Sequence, residues 1–402
     1  MARVVIPVGP QHPALKEPAS FTLYLEGERI AASNVTLGYN HRGVEKACEE
    51  RTYIEDLYLI ERVCGICSHS HATCFISAVE EVAHLEIPKR AKYIRMLIGE
   101  LERVHSHLLW LGVAAHEIGF DTLFMYSWRD REVVMDLLAL ITGNRVNYGM
   151  NKLGGVRRDI SDSQKEQTLK AVDLLEERTK YYIDVATTET TLIARLKNVG
   201  MLSKEDALRL FASGPLARAS GIGRDTRKDD PYLAYDEVPF NVITDDHCDV
   251  YGRTLVRAKE LIESYKMIRY ILKNMPIGEI AVKAPRKIPV GEAICRYEAP
   301  RGEDVHYVRG NGTEKPERVK LRAPTLANLA SITHMLDGGY LADVPIVIAA
   351  IDPCFSCTDR AISIKKSNGA EDLLDWNNLR TYSIDWYKKQ GFNANAIKLK
   401  KF

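Results

Sequence analysis

Between Ala19 and Val35 apolar and polar positions alternate: Phe21, Leu23 and Leu25 fall on one side, and the pattern turns at Glu26-Gly27-Glu28 before Ile30. Strict alternation broken by a glycine predicts a hairpin-like strand pair, so residues 1–50 read as a small β region. Beyond residue 50 the period lengthens. Segments near 54–62, 66–85, 89–117, 130–147, 163–197 and 250–275 carry apolar residues every three or four positions, the spacing of helices that bury one face. Gly154-Gly155 separates two of them, while Ser213-Gly214-Pro215 and Gly221-Ile222-Gly223 punctuate an irregular stretch at about 200–250 that should wrap the helices. After Pro276 the pattern predicts short strands with Gly and Pro breaks, closed by the apolar run Val344 to Ile351, read as a strand that Pro353 halts. The expected fold is α+β and α-rich. A long-helix core over 51–275 follows the N-terminal sheet; residues 276–360 form a mixed region and 361–402 a tail, with no repeat, low-complexity segment or Gly/Ser linker between them.

Composition narrows the function mainly by exclusion. The 402 residues are 46% hydrophobic, enough for a large core. With 55 basic and 54 acidic side chains the net charge is +1, so no global field draws the chain to nucleic acid or to a membrane surface. Leu108 to Ala115 and Val344 to Ile351 are the longest apolar stretches, well short of the roughly 20 residues that span a bilayer. The start, Met1-Ala2-Arg3-Val4-Val5-Ile6-Pro7, lacks the apolar stretch of a secretory signal. Membrane association is therefore expected to come through partner subunits.

Eight cysteines in a chain of this kind point to metal or redox chemistry rather than to a disulfide scaffold. Cys48, Cys74, Cys248 and Cys295 are isolated and read as small buried apolar residues. The other four form two pairs. Cys64-Gly65-Ile66-Cys67 stands where a helical segment begins, so the helix dipole and free amides favour thiolate there. Cys354-Phe355-Ser356-Cys357 follows Asp352-Pro353, a turn that can aim both sulfurs inward. Such a set suits zinc, an iron-sulfur cluster or another soft metal. Zinc pairs usually lie roughly 15–20 residues apart, whereas most of this chain separates these two, and no βαβ pattern favours thioredoxin-like chemistry.

The flanks carry more. Arg62-Val63-Cys64-Gly65-Ile66-Cys67, with His71 four residues on, and Asp352-Pro353-Cys354-Phe355-Ser356-Cys357-Thr358-Asp359-Arg360 resemble the two signature motifs of nickel-iron hydrogenase large subunits. Gly9-Pro10-Gln11-His12-Pro13, His41-Arg42-Gly43-Val44-Glu45-Lys46, Gly154-Gly155-Val156 and the run Gly214-Pro215 through Arg218-Ala219-Ser220-Gly221 to Pro231-Tyr232 are similar to the quinone-site subunit of respiratory complex I, which shares the fold but lacks the four cysteines. A chain with both sets of marks resembles the energy-converting, membrane-bound branch of the hydrogenases.

That resemblance implies a nickel-iron centre, its iron carrying CO and cyanide, with Cys64 and Cys354 as terminal nickel ligands and Cys67 and Cys357 bridging to iron. It implies Glu17 as the proton relay, Arg301 over the metal centre, Pro300 helping to close the apolar pocket, and His71 as a group that hydrogen-bonds a cysteine sulfur. It also implies partners: a small subunit with iron-sulfur clusters, membrane-embedded ion-translocating subunits, ferredoxin as indirect electron donor, and a maturation endopeptidase, since many relatives are cut just after the position of Arg360. The expected place is the cytoplasmic face of the cell membrane, held there by those partners. Relatives that bind a structural magnesium use the glutamate matched by Glu45 together with a histidine; Arg360 stands at that histidine's position and cannot ligate a metal, which argues against a second site. A complex I-like coupling subunit and a sulfane reductase of the same architecture are the rival readings, and the four intact cysteines weigh against the first.

Overall fold

Residues 4–359, 362–365, 367–374 and 376–391 are described in a computed structural model of the chain. The alternation at the N-terminus forms strands β2 (Ser20–Glu26) and β3 (Arg29–Thr36), and β1 (Val4–Val8) adds to β2 to give an antiparallel sheet of order β1-β2-β3. Phe21, Leu23 and Leu25 point into one core and are buried, as their period demands.

The helical segments follow: α1 (Val44–Cys48), α2 (Tyr53–Glu61), α3 (Ser68–Val82), α4 (Lys89–Glu117), α5 (Asp121–Thr142), α6 (Asp162–Thr188) and α7 (Val250–Asn274). α2 begins with a capping box, in which the Thr52 hydroxyl accepts from the Glu55 N–H and the Glu55 carboxylate accepts from the Thr52 N–H. α5 starts nine residues earlier than its period suggests, at Asp121 rather than near 130. α4 lies at the centre, against α5, α7 and α3, and is buried almost all round. The charged residues of its middle, Arg95, Glu100, Glu102 and Arg103, are therefore buried too. Arg95 makes a bidentate pair with Glu80 at 2.8 Å, His107 meets Glu260 at 2.8 Å, and Glu100 takes Arg227 at 2.9 Å. Pairing of this kind is what makes buried charge tolerable, and removing one partner costs more than the pair contributes.

Beyond α7 the chain forms a second antiparallel sheet, β4 (Gly291–Ala299), β5 (Gly302–Gly310) and β6 (Pro316–Arg322), packed on α3. Two of these strands run for nine residues, longer than the glycine and proline breaks suggest. Then come α8 (Pro324–Leu336) and α9 (Val344–Ala350). α9 corrects an expectation: the run Val344 to Ile351 is a helix, not a strand. Short apolar runs do not distinguish the two by period, and Pro345 in the first helical turn favours the helix. The four cysteines outside the pairs also divide. Cys48 and Cys74 are buried as expected, but Cys248 and Cys295 are only half-buried. The α+β, α-rich class holds. Arg360 lies outside the described residues.

One backbone contact governs where the site's arginine sits. Gly214 has φ +69°, and a Cβ added there would lie 2.4 Å from the Gly302 Cα and 2.5 Å from the Arg301 carbonyl oxygen. Gly302, at φ +127°, faces it at similar range. Gly214→Ala combines left-handed strain with overpacking and is expected to destabilise the chain by about 2–4 kcal/mol and displace the Arg301 turn. Denaturation midpoints of the two proteins check this.

Candidate metal centre

The two cysteine pairs arrive from opposite ends of the chain. Cys64 lies in the loop after α2, and Cys67 is the N-cap residue of α3. The Cys64 Sγ accepts from the N–H groups of Ile66 (3.3 Å) and Cys67 (3.4 Å), so free amides at the helix start do gather round a sulfur. The second pair lies in the turn after α9, where Asp352 adopts φ +56°. The Cys354 N–H donates to Thr325 Oγ1 at 3.0 Å, and the Cys354 carbonyl accepts from the Thr358 hydroxyl at 2.7 Å.

All four sulfurs are buried and lie within 4.8 Å of one another. Cys354 Sγ is 3.3 Å from Cys64 Sγ and 2.7 Å from Cys357 Sγ. This crowding splits their proton affinities. Cys64, receiving hydrogen bonds from the neighbouring thiols, is pushed well below the usual thiol range, while Cys67 and Cys354 are pushed well above it. Burial opposes ionisation of Cys357, but the Cys354 thiol carries it below its ordinary value. An all-sulfur donor set this close and dry fits a soft transition metal, whose charge would let the remaining thiols ionise.

Arg42, Glu102 and Asp352 support the site, and none of them was identified for this role from the sequence. Arg42 donates to the carbonyls of Arg62 (3.1 Å) and Val63 (2.7 Å) and across to that of Ser356 (2.9 Å), tying one cysteine loop to the other. Glu102 on α4 accepts from the His69 N–H (2.7 Å), the Ser70 N–H (3.0 Å) and the Ser70 hydroxyl, closing the start of α3. Burial pushes its carboxyl up to about 8. His105 holds the Ile66 carbonyl through Nε2 at 3.1 Å, and burial presses its pKa down to about 3, leaving a neutral ring.

Glu17 and Arg301 both reach the cluster. Glu17 Oε2 accepts from the Ser356 N–H at 2.8 Å and Oε1 from the Ser356 hydroxyl at 2.7 Å, so the carboxylate is held by a residue that lies between Cys354 and Cys357 in the chain. Burial, then the charge on Cys64, raise its pKa above the carboxylate norm. Arg301 follows the buried Pro300 in the turn joining β4 to β5, where Ala299 pairs with Gly302. Its Nε donates to the Asp352 carbonyl (2.9 Å) and one terminal nitrogen to Asp352 Oδ1 (2.8 Å), while the other meets Ser106 Oγ at 3.3 Å. The Asp352 carboxylate and the sulfurs of Cys67, Cys354 and Cys64 stabilise its charge. His71, on α3, is fully buried beside Cys357 and Asp304. Glu45 lies elsewhere: it accepts from the Leu321 N–H at 3.0 Å and pairs with Lys320 at 3.2 Å.

A cavity of about 140 Å3 opens beside this group. Lys16, Glu17, Ile66, Trp110, Arg301 and Pro353 are among its lining, and Lys16 pairs with Glu117 at 2.5 Å along its wall. A small molecule in this cavity would meet the Glu17 carboxyl and the Arg301 guanidinium together.

The match to known proteins follows the same division of the chain. Residues 42–113, with the first cysteine pair, match the nickel-dependent hydrogenase family. Residues 117–289 and 281–360, with the second pair, match the 49 kDa subunit family of respiratory-chain NADH dehydrogenase. The membrane-bound hydrogenase subunit alpha of Pyrococcus furiosus is 44% identical over 409 residues, covering 98% of this chain and 95% of that protein. One of the subunits of the F420H2 dehydrogenase of Methanosarcina mazei is 35% identical over 89% of this chain and 98% of its own length. A chain of the membrane-bound sulfane sulfur reductase, an archaeal respiratory membrane complex, superposes with a TM-score of 0.85 at 33% identity, covering 89% of this chain and 98% of that one.

The fold and the four-sulfur site define a large oxidoreductase subunit of the respiratory-complex type. The chain belongs to the family that joins the large subunits of nickel-iron, energy-converting hydrogenases to the 49 kDa subunit of complex I. Among the described residues no helix is long and apolar enough to cross a membrane.

Proposed function

We propose that the chain is the catalytic subunit of a membrane-bound nickel-iron hydrogenase that interconverts protons and dihydrogen. One observation carries the reading: four buried sulfurs from opposite ends of the chain meet within 4.8 Å, with Glu17 and Arg301 beside them. Cys64 and Cys354 would hold nickel alone, and Cys67 and Cys357 would bridge it to an iron bearing CO and cyanide. The bound metals would supply the redox chemistry of dihydrogen.

The chain's own residues do the rest. Arg301, fixed by Asp352 and Ser106, sets a permanent positive charge beside the thiolates and offsets their excess negative charge. Pro300, buried in the turn just before Arg301, would help to close the apolar side of the metal pocket. His71 lies against the Cys357 sulfur as a supporting group. Glu17, largely buried and with its proton affinity raised above the carboxylate norm, would take or give a proton at the carboxyl that Ser356 holds. Electrons must leave the subunit, because beyond this cluster the other cysteines, all in the described residues, form no further group of three or more metal-ligating side chains with one another. A small subunit with iron-sulfur clusters would receive them, with ferredoxin as the indirect donor and membrane-embedded, ion-translocating subunits anchoring the assembly at the cytoplasmic face. A maturation endopeptidase acting after Arg360 belongs to the same reading.

Metal analysis and infrared spectroscopy of the purified complex test it. Close to one nickel and one iron per chain, with infrared bands from metal-bound CO and cyanide, is the expected result. Stoichiometric zinc without nickel would overturn the hydrogenase reading in favour of a non-catalytic or sulfane-reducing relative.

A further inference from the structure

β5 is the middle strand of its sheet, and Asp304, His306 and Val308 share the face it turns towards α3. All three are 0% exposed. A strand face packed on a helix calls for apolar residues, and only Val308 meets that requirement. A carboxylate so placed must be compensated by nearby charge or hydrogen bonds, or it would not stay ionised.

The compensation comes from two imidazoles. His71 Nδ1, from α3, is 2.9 Å from Asp304 Oδ2, and His306 Nε2 is 3.1 Å from the same oxygen. The two ring nitrogens are themselves 3.1 Å apart in hydrogen-bond alignment, and the rings stack at an interplanar angle of 26°. The one aligned hydrogen bond runs between the two rings, while Asp304 Oδ2 meets both nitrogens at ion-pair range without hydrogen-bond alignment, so the trio reads as a clamp held by charge.

A flat ring gripped at Nδ1 has little freedom left, so the direction of Nε2 is set as well. Nε2 has no aligned hydrogen bond, and the ring lies beside Cys357. α3 gives His71 its height: its N–H donates to the Cys67 carbonyl at 3.2 Å, in the first turn after the first cysteine pair. The chain thus links β5 to the second cysteine pair through one imidazole held at its Nδ1 edge.

We propose that Asp304 and His306 are positioning residues that act through His71, holding its Nδ1 edge so that Nε2 faces the Cys357 sulfur. Their contribution is orientation, and they touch no sulfur themselves. The inference rests on the reading of Cys357 as a metal ligand, and it adds two residues to which nothing in the cysteine motifs points.

The test uses the intact purified complex with Asp304→Asn, His71→Gln and the double variant, and His306→Gln as a second probe of the clamp. Nickel and iron are expected to stay at wild-type levels in Asp304→Asn, while turnover falls about 10–100-fold, the usual cost of losing an outer-shell partner. The infrared bands of the metal-bound CO and cyanide should move in each single variant and move no further in the double variant, because two changes acting through one ring do not add. A structure of Asp304→Asn should show the His71 ring rotated. An unmoved ring, or effects that add fully, would overturn the proposal. A third metal per chain in the wild type that vanishes in Asp304→Asn would make the trio a cation site instead. If the wild type holds no nickel and no such bands, the proposed function fails, while the ring orientation still decides whether Asp304 and His306 position His71.

Discussion

Glu17→Gln is expected to lower dihydrogen turnover by a factor of about 10²–10⁴ while leaving nickel and iron in place, the range for losing a group that transfers protons. Glutamine keeps the length of the side chain, and its amide oxygen can still accept from the Ser356 N–H while its NH2 donates to the Ser356 hydroxyl oxygen, so the turn between Cys354 and Cys357 should survive. What it cannot do is ionise. The sign of the stability change separates this role from a structural one. Burial and the Cys64 charge raise the Glu17 pKa, so the folded state binds its proton more tightly than the unfolded state does. Stability from this group is present below the ordinary carboxylate pKa and is lost as pH rises through the folded value. The glutamine variant lacks that loss and should be at least as stable as the wild type at neutral pH. Turnover, metal content and melting temperature, measured together, check the claim. Loss of nickel would make Glu17 structural, and unchanged turnover would assign the proton to another group.

Glu45→Gln is the control. Glu45 accepts from the Leu321 N–H and pairs with Lys320, away from the sulfurs, so its loss should cost about 1–3 kcal/mol of stability and spare turnover. The reverse pattern would move the relay to Glu45.

Cys357→Ser is expected to leave the purified chain with almost no nickel and no iron, and with no measurable dihydrogen turnover. In the proposed centre this sulfur serves both metals, and a serine oxygen is too hard a donor to replace it. The position is also crowded: Cys357 Sγ is 2.7 Å from Cys354 Sγ, and His71 lies against it. Cys67→Ser, on the other bridging position, should behave alike. Elemental analysis decides: either metal retained at wild-type level would show that Cys357 is not shared between them.

The sequence by itself determined the periodic part of this protein. Phe21, Leu23 and Leu25 alternate because a sheet with one buried face allows little else, and the three- and four-residue spacing from Tyr53 to Asn274 reappears as α2 to α7. It also marked the two cysteine pairs, since two closely spaced sulfurs at a helix start or a proline turn stand out without any knowledge of the fold. The run Val344 to Ile351 was not decided this way. Eight apolar residues satisfy strand and helix alike, and the packing of α9 on α4, α7 and α8 made it a helix.

The remainder of the site only the tertiary structure decided. Glu102 and Asp304 are ordinary charged residues in sequence, and Arg42 and Asp352, though they stand within the quoted motifs, carry no mark there of the contacts they make; the default for a charged residue is a solvated surface. Their roles arise from partners far away in the chain: Ser356 for Arg42, the start of α3 for Glu102, Arg301 for Asp352 and His71 for Asp304. A hydrophobic period records which face of an element is buried, but not which polar group waits on the other side. A buried charge is stabilised by its partner rather than by its neighbours in sequence, so these assignments exist only once the chain has closed on itself.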